Sequence, residues 1–545
     1  MGKRIVSVLL ICILLTVSLS GCFGKTKAGK TFSMPITDEP TSLDPQIADS
    51  NAERLVISNC YEGLVTVGAD GTIHNGVAES YSVSDNGLVY TFKLRQDAHW
   101  ALYSGHKTLL GENYKETFDK TVYAQDFVFA LQRAVDPQTG SPDAYLFSAI
   151  SGAQAIFTGA APVSSLGVQA LDNFTVQITL AYADDNLLYA LTSPGAMPCD
   201  EEFFNLTNGR YGLEAGYTLG NGPFHVSSWQ EKTLIKMVHN EDYNGETDVK
   251  PSSLTLYYND DASKIPEKMA SGTYDAAFLS KTQFDALEDT SDLAVQPLEN
   301  TTQSLIFNQR NTSLANENLR KALCYAADLS DFSALGENIE RATGLVPPYC
   351  KIGADAYRQE GQSANLLPYN AELAKSCFEE ALLELGASSV ELEILCTDED
   401  SDFIRKIVQN WQKVLGVKFV TTLKIVSQTE LEAEVADGNF TVALYPLTAT
   451  SVMTADFLET AFSSDNLFGF TDANYTSMLS GLRTSASDFS KLRTACNAAE
   501  DYLLQHAVIL PLFYQESCFV TSDDTAGIYF YSSEDYVYFI DATKK

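Results

Sequence analysis

The sequence predicts an α/β protein of two lobes, the first of which is discontinuous in the chain. Alternating helix and strand patterns fill residues 301–506, which is typical of a lobe with its own sheet. Strand pairs and a strand–helix–strand pattern dominate residues 32–300. The apolar stretch "AVILPLFYQESCFV" begins at residue 507 and leaves too short a tail for another domain. We therefore expect residues 507–545 to return to the first lobe.

The N-terminal residues have the organisation of an export signal. A lysine and an arginine precede residues 5–19, which carry no charge. This apolar run is shorter than the roughly 20 residues of a spanning helix, and it suits a signal peptide over residues 1–21. The letters "LSGC" resemble the lipobox of bacterial lipoproteins, which implies a diacylglycerol on the Cys22 thiol and a lipidated tether over residues 22–31. The alternative is an ordinary signal peptide with a coincidental cysteine.

The letters "GKTKAGKT" at residues 24–31 also match the phosphate-loop pattern G-x-x-x-x-G-K-[ST]. A phosphate loop works only between a buried strand and the start of a helix, where backbone N–H groups point at phosphate. Here the match follows a signal peptide and precedes "FSMPITDEP", whose two prolines indicate extended chain. The sequence therefore favours a flexible tether over a nucleotide site.

Composition narrows the class of protein. Removing residues 1–21 from 545 leaves 524, enough for two or three domains with large cores. The 36 basic and 71 acidic residues give a net charge of −35, which becomes −37 once the two basic residues of the signal are lost. This balance argues against a nucleic-acid partner, whose phosphates need Lys and Arg. It also repels an anionic lipid surface, which fits a protein held at the membrane by its lipid alone. We expect the protein to be a monomer.

Two helices and a strand are predicted early in the first lobe. Ser50 or Asn51 is expected to cap a helix that runs to about Cys60. The letters "LVYTFKLR" alternate apolar and polar side chains, as a strand with one buried face does. Next, "VYAQDFVFALQRAVDP" predicts a helix that ends before its proline. One face of that helix carries Phe127, Ala130, Leu131 and Ala134.

The rest of the chain alternates between strands and helices. Residues 219–243 are expected to form a strand pair, and residues 252–279 a strand, a helix and a strand. The predicted helices of the second lobe cover residues 316–329, 370–385, 401–415 and 487–506. Its predicted strands cover residues 390–396, 417–426 and 440–445.

Motifs for disulfides, metals and catalysis are weak. Eight cysteines follow Cys22, and no C-x-x-C pair occurs among them. Several fall at apolar positions of predicted helices, where a free thiol acts as a small hydrophobe, so mostly unpaired core cysteines are favoured over disulfides. The sequence has no G-x-S-x-G or H-E-x-x-H pattern. We therefore predict a protein without catalytic residues, metal or cofactor, rather than a secreted hydrolase.

Seven stretches occur in the same order as in a known family. They are "SLDPQ", "YEGLV", "GVAESYSVSDNGLVYTFKLRQDAHW", "AQDFVFALQRAVDP", "NGPFHVSSWQ", "LRKALCYAADLS" and "LPLFYQES". In this order they resemble the large peptide-binding class of extracellular solute-binding proteins that serve ABC-type importers. The resemblance implies a periplasmic-binding-protein-like clamshell with an enlarged first lobe, which closes around a peptide or peptide-like ligand and presents it to the importer's permease subunits. A peptide-sensing receptor with the same clamshell is the alternative.

The same resemblance implies four ligand contacts. Glu53 and Tyr145 match positions that line the family's cleft, and Tyr514 and Gln515 lie in the matching stretch "LPLFYQES". The alternative role for Glu53 is that of a solvated carboxylate on a helix. The alternative for Tyr145 is that of a half-buried aromatic residue of the core.

One departure from the family bears on the ligand. Well-known binders of free peptides carry an Arg, a Trp and an Asp in the strand and loop after the final glycine turn of the second lobe. The Asp pairs with the peptide's amino group. In "GNFTVALYPLTATS" those places fall near Leu444, Leu447 and Thr450, none of which carries a charge. A buried ammonium without a carboxylate is costly. We therefore predict a blocked or hydrophobic peptide at these three residues, unless Glu53 or a loop acid such as Asp456 pairs with the amino group.

Overall fold

The structure is a computed structural model of the chain. It describes residues 29–545 apart from short gaps at 69–71, 185, 260, 288, 331–338, 354, 360, 450–451, 463–465, 486–488 and 532–535. The predicted signal peptide and Cys22 lie outside the described residues.

The described strands are β1 Thr31–Ile36, β2 Val65–Val67, β3 Ile73–Asn75, β4 Ala78–Val83, β5 Val89–Leu94, β6 Val168–Asp172, β7 Thr175–Thr179, β8 Phe224–Gln230, β9 Leu234–His239, β10 Ser253–Tyr258, β11 Ala276–Ser280, β12 Leu293–Phe307, β13 Glu340–Arg341, β14 Lys351–Ile352, β15 Asp355–Ala356, β16 Val390–Thr397, β17 Phe419–Val426, β18 Val442–Thr448, β19 Ile509–Ser522, β20 Thr525–Ala526, β21 Tyr529–Tyr531, β22 Tyr536–Tyr538 and β23 Thr543–Lys544.

The described α-helices are α1 Asn51–Cys60, α2 Lys107–Leu110, α3 Tyr114–Thr117, α4 Ala124–Val135, α5 Ala153–Phe157, α6 Leu187–Ala190, α7 Glu201–Leu206, α8 Ile265–Ala270, α9 Lys281–Asp285, α10 Glu317–Ala326, α11 Ala371–Leu385, α12 Ser401–Leu415, α13 Gln428–Ala436, α14 Thr454–Phe462, α15 Ala473–Ser485 and α16 Phe489–Gln505.

The first lobe contains two four-stranded sheets. One has the order β1-β10-β9-β8, with β1 parallel to β10, and the other has the order β4-β5-β7-β6. Helix α4 packs on the second sheet. It buries its predicted apolar face, since Phe127, Ala130, Leu131 and Ala134 are 0% exposed. The C-terminal residues Phe530, Val537 and Phe539 belong to the same core.

One sheet of order β11-β19-β12-β18-β16-β17, to which β13 adds beside β19, extends from the first lobe, where β11 pairs with the end of β19, into the second lobe, where it is the middle of three layers. Neighbouring side chains of β12 face opposite layers. Leu305 and Phe307 pack with α10, α11 and α12, whereas Ile306 packs with α14, α15 and α16. The sheet is therefore covered by helices on both faces.

Strands β12 and β19 connect the two lobes. On β12, Leu298 belongs to the core of the first lobe and Leu305 to that of the second. On β19, Phe513 belongs to the second core and Phe519 to the first. The predicted first crossing, between residues 300 and 301, lies between Leu298 and Leu305 on β12. The second crossing lies later than the predicted residue 507, because β19 continues through the second lobe before it reaches the first.

Local signals fixed most helices where the sequence predicted them. Ser50 caps α1, as its Oγ accepts a hydrogen bond from the Glu53 N–H at 3.2 Å. Helix α12 has its predicted bounds, and helix α11 begins one residue later than predicted. Strand β18 extends three residues beyond the predicted end at residue 445. These elements confirm the predicted alternation of the second lobe.

Thr31 belongs to the first sheet and residues 29–30 lie directly before it, which contradicts both the phosphate loop and the predicted end of the tether. Thr31 begins β1 and no helix follows it, and the Lys30 carbonyl accepts a hydrogen bond from the Ser252 N–H at 2.9 Å. The Gly29 backbone lies so close to the chain around Pro251 that a Cβ would approach it within 3.1 Å. A flexible tether must therefore end before Gly29, since these residues follow the edge of the sheet.

The described cysteines are all free thiols: Cys60, Cys199, Cys324, Cys350, Cys377, Cys396, Cys496 and Cys518. All are buried except Cys377, which is half-buried. This confirms the prediction that they are mostly unpaired core residues. Burial raises the pKa of the Cys60 and Cys324 thiols, so both stay protonated at neutral pH.

Candidate ligand-binding cleft

The larger cavity where the lobes meet has a volume of about 260 Å³. The end of β1 and the start of α1 line it from the first lobe. Leu298, Asn300 and Ser517 line it from the crossing strands, and Thr448, at the end of β18, lines it from the second lobe. The cavity thus touches both lobes and both connections between them.

Asn300 organises the polar wall of this cavity. Its carbonyl oxygen accepts a hydrogen bond from the Ala449 N–H at 2.8 Å. Its Oδ1 accepts hydrogen bonds from the hydroxyls of Thr301 and Ser517, each at 3.3 Å. The Thr301 hydroxyl also lies 2.9 Å from that of Thr448. Strands β12, β18 and β19 are therefore joined by hydrogen-bonding side chains at the point where the chain crosses between lobes.

Strand β1 presents backbone groups to the cavity. Among the described residues β1 pairs with β10 and forms an edge of its sheet. The carbonyls of Lys30 and Ile36 accept hydrogen bonds from the β10 side. Because hydrogen-bonding direction alternates along a strand, Ser33 and Pro35 direct their carbonyls the other way. The Ser33 carbonyl accepts a hydrogen bond from the Asp275 N–H at 2.9 Å, and Pro35 lines the cavity. An extended ligand can add to such an edge.

A smaller cavity of about 90 Å³ also lies between the lobes. Tyr145 and Asp184 line it from the first lobe, and Lys351, Asp456 and Glu459 line it from the second. Its charged lining groups are thus three carboxylates and one ammonium. This balance favours a positively charged ligand group over an anion.

Tyr145 stands at the wall of this smaller cavity. Burial raises the pKa of Tyr145 well above its ordinary value, and the carboxylates of Asp456 and Asp143 raise it further. The hydroxyl therefore stays protonated and can donate a hydrogen bond. Contact between Tyr145 and a ligand stays a prediction.

Glu53 has a structural role, which corrects the expectation that it contacts the ligand. Its Oε1 accepts hydrogen bonds from the N–H groups of Thr41 and Ser42, and its Oε2 accepts from those of Asp49 and Ser50. Burial alone would raise the pKa of Glu53, but the bonds from Asp49, Thr41 and Ser42 outweigh it and hold the pKa below its ordinary value. The side chain is 3% exposed and its acceptor sites are occupied, so it cannot pair with a ligand's amino group.

Leu444 and Leu447 are core residues, and the prediction that they line the ligand site is wrong for their side chains. Leu444 is 2% exposed and packs among α10, α11 and α12, whereas Leu447 is 7% exposed and packs on the opposite face. They lie three residues apart on β18, so they must face opposite layers. Thr450 lies outside the described residues.

Tyr514 and Gln515 differ in their surroundings. Tyr514 is 4% exposed, and its hydroxyl lies 3.2 Å from both the N–H and the hydroxyl of Thr343, so its ring is enclosed in the second lobe. This corrects its prediction as a ligand contact. Gln515 is half-buried in β19, where its Oε1 accepts a hydrogen bond from Gln303 Nε2 at 2.6 Å. It therefore lies beside the crossing rather than on a described cavity wall.

Several cavity residues were missed by the sequence reasoning. Asn300, Thr448, Ser517 and Lys351 are ordinary polar residues, and only the pairing of distant strands brings them together. One usable signal was the polar run "ENTTQ" at residues 299–303, which interrupts an otherwise apolar strand pattern. Asp456 was considered only as an alternative, although it lines the smaller cavity.

The described ranges contain no cluster of three or more His, Cys, Asp or Glu residues suited to a metal ion. Among the same residues, no helix has the length and apolarity that crossing a membrane requires.

Two α/β lobes joined by two long strands, with cavities where they meet, define a two-lobed binding protein that receives its ligand between the lobes. The chain belongs to the bacterial extracellular solute-binding proteins of family 5, whose model matches residues 72–469.

Known relatives cover nearly the whole chain. The dipeptide-binding protein DppE of Bacillus subtilis is 24% identical over 541 aligned positions, and the match covers 94% of this chain and 94% of DppE. A dipeptide-binding protein of Lactococcus lactis is 26% identical and covers 97% of each chain. The solved structure of Listeria monocytogenes OppA bound to peptide is 22% identical, with a TM-score of 0.75 over 95% of this chain and 100% of that one.

These comparisons confirm two predictions made from the sequence. The chain is an extracellular solute-binding protein of the peptide-binding class, and its fold is an α/β bilobal clamshell with an enlarged, discontinuous first lobe. The two named relatives from Bacillus subtilis and Lactococcus lactis are dipeptide-binding proteins.

Proposed function

We propose that this protein captures a peptide or peptide-like ligand between its lobes and delivers it to the permease of an ABC importer, without catalysing a reaction. The observation that carries this proposal is the larger cavity, where the outward backbone of β1 meets the polar crossing strands. An extended peptide offers backbone N–H and C=O groups at the spacing of a strand. The names of the peptide-binding relatives support the same class of ligand.

The smaller cavity leads us to propose an ammonium as one end of the ligand. Its carboxylates outnumber its ammonium groups, and Asp456 is close enough to raise the pKa of Tyr145. The leucines of β18 bring no charge to this end of the cleft, as their side chains are enclosed in the core. We therefore prefer Asp456 as the partner of a free amino terminus over the blocked ligand that the sequence predicted.

We expect a peptide with a free amino terminus to bind at least tenfold more tightly than its N-acetylated form, which corresponds to about 1.4 kcal/mol. The reason is that acetylation removes the positive charge and leaves Asp456 without that partner. Isothermal calorimetry with matched peptide pairs, chosen from peptides that copurify with the protein, measures the difference.

Asp456→Asn should remove this preference, because the amide keeps the size of the side chain and loses its charge. Equal binding of free and acetylated forms to the parent protein would support a blocked or hydrophobic ligand. A preference that survives in Asp456→Asn would assign the amino group to another acid, with Glu459 the next to test.

We further propose that a lipid on Cys22 holds the protein at the outer face of the cell membrane. The basic, apolar and "LSGC" segments in that order support this anchor. Cys22→Ala should block lipidation and move the protein from the membrane fraction to uncleaved or shed material, as followed by fractionation and mass spectrometry of the N-terminus. Unchanged membrane attachment with the same mature N-terminus would contradict the anchor. Ser20→Ala is a control, because it keeps the thiol and should keep the lipid.

A further inference from the structure

A buried carboxylate in the second lobe joins the two ends of one segment. Glu500, on α16, has a side chain that is 1% exposed. It accepts hydrogen bonds from the N–H groups of Leu345 at 2.7 Å and Val346 at 3.0 Å. It also accepts from the Tyr357 hydroxyl at 2.9 Å and from Arg358 Nη2 at 2.5 and 2.7 Å. One side chain thus fixes the backbone at residues 345–346 and the side chains at residues 357–358.

The middle of this 345–358 segment lies at the ligand site. Lys351, Ile352 and Gly353 line the smaller cavity between the lobes. The Lys351 N–H donates to the Val452 carbonyl at 2.6 Å, and the Lys351 carbonyl accepts from the Thr454 hydroxyl at 2.9 Å. These bonds connect the segment to the residues that lead into α14, the helix that carries Asp456 and Glu459.

The segment also contacts a strand that crosses between the lobes. The Tyr349 N–H donates to the Glu299 carbonyl of β12 at 3.1 Å. Glu299 adjoins Asn300, which organises the wall of the larger cavity. A shift of the segment would therefore move groups at the smaller cavity and also at the place where β12 crosses between the lobes.

Gly344 allows the ion pair to form at this place. A Cβ on Gly344 would lie 2.1 Å from Arg358 Nη2 and 2.6 Å from Glu500 Oε1. These distances are far inside van der Waals contact, so any larger residue at 344 would displace one member of the pair.

We propose that Glu500 is a positioning residue for ligand capture, which sets where residues 351–353 stand in the cleft. The inference rests on the proposed peptide-binding function. Glu500 contacts no described cavity itself, and it acts through the backbone bonds at one end of the segment and the Tyr357 and Arg358 bonds at the other. Loss of its charge should loosen the cavity wall and weaken retention of the ligand.

The first lobe offers a matched control. Glu62 is also a buried carboxylate, and it accepts hydrogen bonds from Arg95 Nη2 at 2.6 Å and from the Tyr243 hydroxyl at 2.7 Å. Both sites thus combine a glutamate, an arginine and a tyrosine. Glu62 lines a separate cavity of the first lobe, of about 250 Å³, which shares no lining residue with the two cavities between the lobes.

The test compares Glu500→Gln with Glu62→Gln in the full-length protein at a temperature at which both are folded. Hydrogen–deuterium exchange should rise at least tenfold over residues 349–353 in Glu500→Gln and stay at the parent rate there in Glu62→Gln. Each protein is also incubated with a tryptic digest of casein, and the retained peptides are identified by mass spectrometry. We expect Glu62→Gln to retain the parent's peptides and Glu500→Gln to retain at least tenfold less of them.

The outcomes separate this inference from the proposed function. If the parent retains peptides and Glu500→Gln retains the same amounts with unchanged exchange, Glu500 is merely structural and the inference is wrong. If the parent retains no peptide, the proposed function fails, and unchanged exchange in Glu500→Gln would then overturn the positioning role independently. Should Glu500→Gln fail to fold because Arg358 is left unpaired, the double variant Glu500→Gln, Arg358→Met removes both charges and takes its place under the same criteria.

Discussion

Arg133→Met is expected to lower the free energy of unfolding by about 3–5 kcal/mol. Arg133, on α4, donates from Nη2 to Asp44 Oδ2 at 2.5 Å and from Nη1 to Asp44 Oδ1 at 3.0 Å. Its Nη1 also donates to Gln46 Oε1 at 2.5 Å, and its guanidinium lies 4.2 Å from the centre of the Phe204 ring. The Asp44 side chain is 5% exposed, so removal of the arginine leaves a buried carboxylate without its cation. Guanidinium denaturation of parent and variant measures the loss.

Two further variants isolate this cause. The double variant Asp44→Asn, Arg133→Met should recover much of the stability, because it removes the unpaired charge as well as its partner. Arg210→Met should change stability by at most about 1 kcal/mol, since Arg210 and Glu214 form an ion pair at 3.6 Å with half or more of each side chain exposed. A loss for Arg133→Met no larger than that for Arg210→Met would show that Asp44 finds another partner or water.

The sequence located secondary structure well where the signals are local. Helix α12 has its predicted bounds because a polar start and Gly416 enclose a 3.6-residue apolar pattern, in which Phe403, Ile407 and Trp411 are buried. Strand β5 follows the predicted alternation, with Tyr90, Phe92 and Leu94 buried.

The candidate site was predicted less well, because a strand that is buried on both faces has no alternation of apolar and polar side chains to show which side chains lie on which face. The family resemblance gave the positions of Leu444 and Leu447 along β18, but the faces on which their side chains lie depend on the layers that cover the sheet. Both faces of β18 are core, so an apolar residue there gives no hint of which side meets a ligand. The cavity residues Asn300, Thr448 and Ser517 come from three strands, and their meeting is a property of the sheet order.

The sequence around Glu53 contains a helix-start pattern of which only one part was interpreted. Ser50 was one of two predicted helix caps, but Ser50 and Glu53 together form an S-x-x-E capping box. That pattern commits the carboxylate to backbone N–H groups at the helix start. Recognising it would have argued for a structural role from the sequence alone.

Acidification is expected to remove a stabilising contribution of His106. Its side chain is 0% exposed, Nε2 lies 3.1 Å from the Thr218 carbonyl, and the rings of Tyr103 and Phe203 enclose it at 4.5 and 5.3 Å. Burial lowers the pKa of His106 to about 4, and the nearby His225 lowers it as well, although the bond to Thr218 opposes them.

The direction of this pH dependence follows from the pH at which the folded and the unfolded states each bind the proton. The unfolded chain protonates a histidine near pH 6.5, and the folded chain protonates His106 only near pH 4. Between these values the unfolded state binds the extra proton, so the contribution is complete above about pH 6.5 and is lost as the pH falls towards 4. At pH 5 the loss should be about 2 kcal/mol.

Measurement of the parent alone would not isolate this effect. Burial raises the pKa of Asp126 to about 8, so the contribution of that carboxyl changes in the opposite direction over the same range. We therefore compare the parent with His106→Gln, whose amide can still donate to the Thr218 carbonyl, at pH 7.5 and pH 5. Every other titrating group is common to both proteins and cancels.

The stability advantage of the parent over His106→Gln should shrink by about 2 kcal/mol between the two pH values. An advantage that is the same at pH 7.5 and pH 5 would mean that the folded protein accommodates a protonated His106. In that case the aromatic enclosure of the ring must open to water before the protein unfolds, because Nδ1 of the buried ring, which would carry the added proton, has no hydrogen-bond partner among the described residues.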